Sequence, residues 1–173
     1  MVELKAGDWH VGFSRSKGSD GPPSGGSAAK LKVTGDLPAG SADLPGAIKV
    51  NLKEYTFEIP DGVKPGLQIW HLTATGEQPH FMFLAKVPAG TTEQQVLTTM
   101  SFDDTKGATP GPEMLTRKDF QPVYSSSDIS TGQSLWVQVD LKAGTYVAMC
   151  FVNDKATGAP HAMMGMVTVF TVA

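Results

Sequence analysis

The segment Ala143-Gly-Thr-Tyr-Val-Ala-Met-Cys150 is followed, after ten residues, by His161-Ala-Met-Met-Gly-Met166. Apolar residues before and after this region predict two strands joined by a loop. The only cysteine of the chain lies at one end of that loop, and a histidine and methionines lie at the other. The segment therefore predicts a β-hairpin whose loop carries a thiol, an imidazole and a thioether.

These three donor types suit a soft or borderline transition metal. Two histidines and one cysteine with a weak methionine form the ligand set of a mononuclear copper site that transfers electrons. The set needs a second imidazole, and His80 is the natural candidate. The alternatives are structural: a lone buried cysteine is often a small hydrophobe, Met166 could fill the core, and His80 could be a satisfied core histidine.

The composition is that of an ordinary soluble globular domain. The 173 residues carry a net charge of -3, with 18% charged and 40% hydrophobic residues, so there is no basic footprint for a nucleic-acid partner. No apolar run is long enough to span a membrane, and the first residues lack the apolar centre of a secretion signal. A single cysteine excludes an internal disulfide and a two-cysteine copper centre.

Short alternating segments separated by glycine and proline predict an all-β sandwich or barrel. The apolar positions change from even to odd residue numbers near Lys53 and Glu54, and this shift predicts a β-bulge or a strand that passes between sheets. The second and third predicted strands are expected to pair as a hairpin. The predicted strands cover residues 48–59, 67–73, 80–87, 135–139, 146–152 and 166–172.

The remaining elements are one helix and one long loop. Thr91, followed three residues later by Gln94, is typical of a helix N-cap, so a short helix is predicted to end near Met100. Residues 101–131 are rich in glycine, proline, serine and aspartate, and they predict a long excursion with little regular structure.

The N-terminal region resembles the C-terminal hairpin. Leu4-Lys-Ala-Gly-Asp-Trp9 recurs as Leu141-Lys-Ala-Gly-Thr-Tyr146, so residues 1–33 are interpreted as a degraded repeat of that hairpin, with chance similarity as the alternative. The metal-ligand positions are lost in this copy: Phe13, Ser24 and Ala29 stand where Cys150, His161 and Met166 would align. Residues 34–46 are then a linker, and residues 47–173 form the main domain.

Three motifs of the main domain resemble those of the cupredoxins, the blue copper proteins. They are the Gly-Thr-Tyr strand that ends at the cysteine, the closing His-x-x-x-Gly-Met, and Pro79-His80 upstream. The resemblance covers about residues 46–173 and implies an eight-stranded Greek-key β-sandwich with one copper ion at one end. The implied ligands are His80, Cys150, His161 and an axial Met166. Met163 and Met164 compete for the axial position, and the Gly-Met match favours Met166.

The resemblance also implies a function. One ion cycling between Cu(I) and Cu(II) would carry single electrons between redox partners, in the periplasm or outside the cell. The chain would not be an enzyme, because catalytic copper needs further histidines and only His10 and His71 remain. The alternatives are a copper chaperone or sensor, a non-catalytic cupredoxin domain of a larger copper enzyme, and a scaffold that has lost its metal.

The surroundings of the site follow from the same resemblance. An edge of His161 is expected at the surface, where Ala159, Pro160, Ala162 and Met163 would form a docking patch for a redox partner. The expected apolar shell consists of Phe81, Met82, Met149 and Phe151. His71 is expected to be structural, and His10 is given no function.

The chain departs from the family pattern in two respects. The ten residues between cysteine and histidine exceed the spacing in small electron carriers and are nearer to that in copper nitrite reductases. Phe81 follows the first histidine where many members carry an asparagine that braces the cysteine loop. Both departures predict a looser loop.

Overall fold

A computed structural model of the chain describes residues 6–14, 26–35, 44–102 and 111–173. The chain divides into two compact units, residues 2–42 and residues 43–173. Among the described residues no helix is long and apolar enough to cross a membrane.

The smaller unit contains one antiparallel hairpin. Strand β1 (Gly7–Ser14) pairs with β2 (Gly26–Val33), and Gly7 lies opposite Val33. The corresponding glycine of the larger unit, Gly144, lies opposite Val172, so the two hairpins differ in register by two residues. The interpretation of residues 1–33 as a degraded repeat stays a prediction. Ser24 and most of the predicted linker lie outside the described residues.

The larger unit is a sandwich of two four-stranded sheets, which confirms the predicted all-β class. One sheet has the strand order β4-β3-β5-β8 and the other β10-β9-β6-β7; within the first, β3 and β5 run parallel. The strands are β3 (Ile48–Lys53), β4 (Thr56–Glu58), β5 (Gly66–Ala74), β6 (Phe83–Val87), β7 (Gln121–Ser125), β8 (Ser134–Leu141), β9 (Gly144–Met149) and β10 (Val167–Val172).

The main core lies between the two sheets. Alternate residues of a strand face the same side, so Trp70 and Leu72 of β5 point inwards together and are fully buried. Burial of a large apolar side chain stabilises the fold by about 1.5–3 kcal/mol. Cys150 and Met166 belong to this same apolar cluster. Two of the predicted ligands are therefore part of the core itself.

A second apolar cluster covers the outer face of the β10-β9-β6-β7 sheet. Helix α1 (Glu93–Met100) places Val96 against Val87 and Val147, so the central strands of this sheet are buried on both faces. The helix begins one residue later than predicted. Its N-cap is Thr92, paired with Gln95 in a capping box, whereas the Thr91 hydroxyl donates to the carbonyl of Pro88.

The N-cap can be tested by substitution. Thr92→Ala removes the side-chain acceptor for the Gln95 amide and should lower the free energy of unfolding by about 1 kcal/mol. Thr98→Ala is the matched control on the exposed face of the same helix, where alanine is the better helix former. Urea unfolding of both variants measures the difference. An equal loss in the two would contradict the assignment of the cap.

Two predictions of strand pairing are wrong. Residues 67–73 and 80–87 do not form a hairpin, because β5 pairs with β3 and β8 while β6 lies in the other sheet. The predicted bulge near Lys53 is a chain reversal: β3 and β4 form a tight antiparallel hairpin, with Leu52 opposite Phe57. The turn between β3 and β4 interrupts the alternation of buried and exposed residues, and this is why the apolar positions change from even to odd residue numbers there.

The predicted excursion over residues 101–131 contains more regular structure than expected. It includes a 3₁₀ turn at Arg117–Asp119 and the edge strand β7, which pairs with β6. Residues 103–110 lie outside the described residues. The end of the excursion approaches the predicted metal site, since Ile129 forms an isolated antiparallel bridge with His80.

Candidate metal centre

His80 is held in place by its own backbone. Its amide donates to the carbonyl of Ile129 at 3.0 Å, and the Ile129 amide donates back at 2.7 Å. Two residues later, the Met82 amide donates to the hydroxyl of Ser126 at 2.9 Å. This short segment just before β6 is therefore fixed at two points, and the side chains of His80 and Met82 are both fully buried.

Cys150 and His161 are brought together by a loop that closes on itself. The Ala162 amide donates to the carbonyl of Cys150 at 2.7 Å, and the His161 amide donates to that of Val152 at 2.8 Å. A 3₁₀ turn over His161–Met164 then ends at Gly165, whose φ of 106° favours glycine. This turn explains the spacing of the closing motif, because it returns the chain directly into β10.

The three predicted donor atoms converge. The Nδ1 atoms of His80 and His161 are 3.1 Å apart, and the Cys150 Sγ lies 3.9 and 3.7 Å from them, respectively. The circle through these three points has a radius of about 2.1 Å, within the range of metal–nitrogen bonds in proteins. All three side chains are fully buried, and together they form the candidate metal-binding group found among the described residues.

Two imidazoles and a thiol around one point are the equatorial donors of a type 1 copper site, and they fit a single copper ion. The fold class and this donor group fit a cupredoxin. In the larger unit the metal-binding group adjoins the apolar core, with Cys150 directly after strand β9.

Comparison with solved structures finds auracyanins. The dithionite-reduced auracyanin of Roseiflexus castenholzii is 18% identical over 74% of this chain and 97% of that chain, with a TM-score of 0.46. Auracyanin B is 16% identical over 73% of this chain and 88% of that chain, with a TM-score of 0.45. Auracyanin A, a "blue" copper protein of Chloroflexus aurantiacus, is 18% identical over 72% of this chain and 99% of that chain, with a TM-score of 0.39. No family model and no curated protein matches the chain.

The three methionines of the closing motif differ in their surroundings. Met166 is fully buried in the cluster that contains Cys150, and its amide donates to the His161 carbonyl at 2.9 Å. Met164 is 38% exposed, and its sulfur lies 3.9 Å from the Thr157 hydroxyl oxygen. Met163 is 46% exposed. Of these three methionines, Met166 alone lies in the buried cluster that contains Cys150.

The expectation that His161 shows an edge to solvent is wrong, since its exposed fraction is 0%. The ring of Tyr55 packs edge-on against it, with centroids 5.4 Å apart. Ala162, which was predicted to belong to the docking patch, is also fully buried. The surface outside the site is therefore formed by other side chains of the loop.

The predicted apolar shell is only partly present around the cysteine. Met82 is buried in the same cluster as Cys150, and Phe81 packs against that cluster. Met149 lies in the second cluster, because neighbouring strand residues face opposite sides, and Phe151 is 39% exposed. His71 lies elsewhere, with its ring stacked on Trp136 at 4.2 Å.

Burial prepares the donors for a metal ion. It lowers the pKa of His80, helped by the neighbouring charge of His161, and it also lowers the pKa of His161. Burial thus favours the neutral form of both imidazoles, which is the form that binds a metal. Burial raises the pKa of the Cys150 thiol, although the Phe81 amide donates to its sulfur at 3.5 Å. Metal binding must therefore release the thiol proton.

Glu54 lies beside the ring of His80. Its Oε1 atom lies 3.3 Å from the His80 Nε2 atom and accepts a hydrogen bond from the Gln78 amide at 2.7 Å. Desolvation raises the pKa of Glu54, but backbone hydrogen bonds, with a smaller contribution from His80 when that ring is protonated, outweigh it and leave the pKa lowered. The His80 Nε2 atom makes no hydrogen bond at this distance, but a nearby carboxylate is the kind of partner that metal-binding histidines commonly use for the ring nitrogen that does not bind the metal.

Sequence reasoning missed four polar residues beside the site: Glu54, Tyr55, Gln78 and Asp154. The signal for the first two was present but misinterpreted, because the change of parity at Glu54 marks the turn that carries them. Asp154 is the single acidic residue of the ten-residue loop, and an aspartate there can accept from the amide two residues on, Ala156, as in an Asx turn. Nothing in the sequence around Gln78 indicates its contacts.

Asp154 makes the metal-free protein sensitive to acid. Hydrogen bonds from the side chains of Gln78 and Thr157 hold the pKa of this carboxyl well below its ordinary value of 3.8. A lowered folded-state pKa gives stability that is fully present above the ordinary value and is lost as the pH falls below it. We therefore expect the stability advantage of the wild type over Asp154→Asn to shrink between about pH 6 and pH 3.

Urea unfolding of the two metal-free proteins at both pH values checks this. Glu54, whose pKa is also lowered, is present in both proteins, and Tyr55, whose pKa is raised by its hydrogen bond to Asp154, stays protonated over this range. A difference in stability that does not change with pH would contradict the assigned direction.

Proposed function

We propose that this chain is a mononuclear type 1 copper protein that carries single electrons between redox partners. The observation that carries the proposal is the convergence of the His80 and His161 Nδ1 atoms and the Cys150 Sγ atom around one buried point. Met166, buried in the same cluster as the cysteine, is proposed as the weak axial ligand. Copper, when bound, would supply the Cu(I)/Cu(II) couple.

The protein's own contribution is a rigid and dry donor set. Two imidazoles and one thiolate in a near-trigonal arrangement suit both oxidation states, so little has to move when an electron passes. The apolar cluster around Cys150 excludes water, and this reduces the solvent rearrangement that accompanies a change of charge. Tyr55 closes the His161 side of the site with its ring.

Titration with Cu(II) tests the proposal. Reduced metal-free protein should bind one equivalent and develop an intense visible thiolate-to-copper band, which should bleach with a reductant and return with an oxidant over repeated cycles. Binding of Cu(I) without a reversible band would favour the copper chaperone or sensor. Oxidation of the cysteine without stable binding would favour a scaffold that has lost its metal.

The same protein is proposed to act as a carrier and not as an enzyme. Catalytic copper centres commonly use additional histidines, and the chain has four in all, of which His80 and His161 are assigned to the site. His71 stacks on Trp136 and is not part of the metal-binding group. A location in the periplasm or outside the cell is proposed from the resemblance to the blue copper proteins.

The partner is proposed to dock on the loop that covers the site. Here Met163 and Met164 are exposed, and the neighbouring Ala159 and Pro160 are half-buried; these four residues are called the methionine patch. A partner that buries an uncharged surface of this kind would come close to the copper ligands without direct contact with His161. Exposed methionines adapt well to partner surfaces because their side chains are flexible.

Electron self-exchange measures access to the methionine patch without a known partner. Met163→Lys places a like charge on both copies at the proposed contact and should slow exchange between reduced and oxidised protein by about tenfold. Leu67→Lys is the matched control, because Leu67 is 68% exposed on β5 in the other sheet. NMR line broadening gives both rates. Equal slowing by the two variants would place the contact elsewhere.

A further inference from the structure

The loop between Cys150 and His161 is braced from three directions by one buried carboxylate. Asp154 has an exposed fraction of 4%. Its Oδ1 atom accepts hydrogen bonds from the amides of Ala156 and Thr157 at 3.1 and 2.8 Å and from the Thr157 hydroxyl at 2.8 Å. These contacts fix the conformation of the loop itself, although the chain lacks the asparagine expected after His80.

The second oxygen of the same carboxylate reaches outside the loop. Asp154 Oδ2 accepts from the Tyr55 hydroxyl at 2.9 Å and from the Gln78 side-chain amide at 2.8 Å. The ring of Tyr55 packs edge-on against His161. One carboxylate therefore connects the loop, the β3–β4 turn and the segment that leads to His80.

Gln78 completes the connection to the other imidazole. The side-chain oxygen of Gln78 accepts from the Lys155 backbone amide at 2.9 Å, and the backbone amide of Gln78 donates to the Glu54 carboxylate at 2.7 Å. Glu54 in turn lies 3.3 Å from the His80 Nε2 atom. The loop carrying His161 is thus connected, through Asp154 and Gln78, to the backbone two residues before His80 and to the carboxylate beside its ring.

We propose that Asp154 is a positioning residue that sets the relative placement of the two imidazoles before metal binds. It touches neither copper ligand and acts through Tyr55 and Gln78. The inference deepens the copper site proposed above and depends on it. Because a carboxylate only accepts hydrogen bonds, it can satisfy donors on both of its oxygens at once.

Asp154→Asn tests the hydrogen bonds of the carboxylate without changing the size of the side chain. Asparagine has nearly the same shape but only one oxygen, so in either orientation its NH₂ group faces donors, at Tyr55 and Gln78 or at Ala156 and Thr157. Whichever way the amide turns, at least one N–H donor of the brace loses its acceptor. Asp140→Asn, at an exposed position of β8, makes the same chemical change outside the brace and serves as the control.

Three measurements are made on the wild type and both variants: Cu(II) affinity, the position of the visible band, and amide hydrogen exchange of Lys155, Ala156 and Thr157 in the metal-free protein. Asp154→Asn should weaken Cu(II) binding by about tenfold or more, shift the band, and speed exchange of at least one of these amides. Asp140→Asn should match the wild type in all three.

The outcomes distinguish this inference from the proposed function. Wild-type affinity and spectrum in Asp154→Asn, with a normal band in the wild type, would overturn the positioning role. A wild type without the band would overturn the copper site itself, whatever the exchange data. If Asp154→Asn fails to fold, Tyr55→Phe decides, since it removes one hydroxyl of the brace and keeps the ring on His161: a shifted band supports the role, and an unchanged one contradicts it.

Discussion

Cys150→Ser is expected to abolish the intense visible band completely. The band requires charge transfer from a thiolate sulfur to copper, and Cys150 is the only cysteine of the chain. Serine is slightly smaller and can still accept from the Phe81 amide, so the sandwich should remain folded. The variant is loaded with Cu(II) under the conditions used for the wild type, and its absorption spectrum and circular dichroism are recorded.

The control for this variant is a change at the exposed Met164, whose sulfur faces Thr157. Met164→Leu should keep the full band. A folded Cys150→Ser protein with an unchanged band would contradict the assignment of the thiolate. Loss of colour in both variants would indicate that the band depends on the loop as a whole.

Met166→Gln is expected to keep the colour and lower the reduction potential by more than about 60 mV, which is a tenfold change in the equilibrium of a one-electron couple. A thioether is a soft donor that favours Cu(I), whereas an amide oxygen is harder and favours Cu(II). Met166 is fully buried beside Cys150, so the new side chain is held close to the metal-binding group. Redox titration followed by the visible band measures the shift.

Met164→Gln is the matched control, because this methionine is 38% exposed and belongs to the same motif. Its potential should stay within about 20 mV of the wild type, well below a tenfold change in equilibrium. A large shift in Met164→Gln and none in Met166→Gln would reverse the axial assignment.

The three side chains whose donor atoms converge could be selected from the sequence because each belongs to a motif with its own local geometry. Cys150 ends a strand, His161 begins a turn closed by Gly165, and His80 precedes a strand whose alternate residues face the core. Side-chain chemistry then required these three to meet. The convergence of their donor atoms is the result the sequence implied.

Pairing between distant strands was harder to predict. The neighbours of β5 are β3 and β8, which no turn adjacent to β5 indicates, and so the hairpin with β6 was wrongly expected. The helix start was wrong by one residue because Thr91 with Gln94 and Thr92 with Gln95 both fit a capping box; the structure uses the second pair.

The burial of His161 could not be predicted from its own loop. Its cover is Tyr55, which is 106 positions earlier in the sequence and lies in a turn that was mistaken for a bulge. The loop was also expected to be loose because Phe81 replaces an asparagine. Asp154 and Gln78 supply hydrogen bonds there instead, and contacts of this kind depend on a tertiary structure that local sequence does not encode.

A crystal structure of the copper-loaded protein tests the central claim most directly. Anomalous scattering at the copper absorption edge should give a single strong peak between the Nδ1 atoms of His80 and His161 and the Sγ atom of Cys150, about 2 Å from each nitrogen. A peak at any other place in the chain, or copper bound by only one of the three residues, would contradict the account.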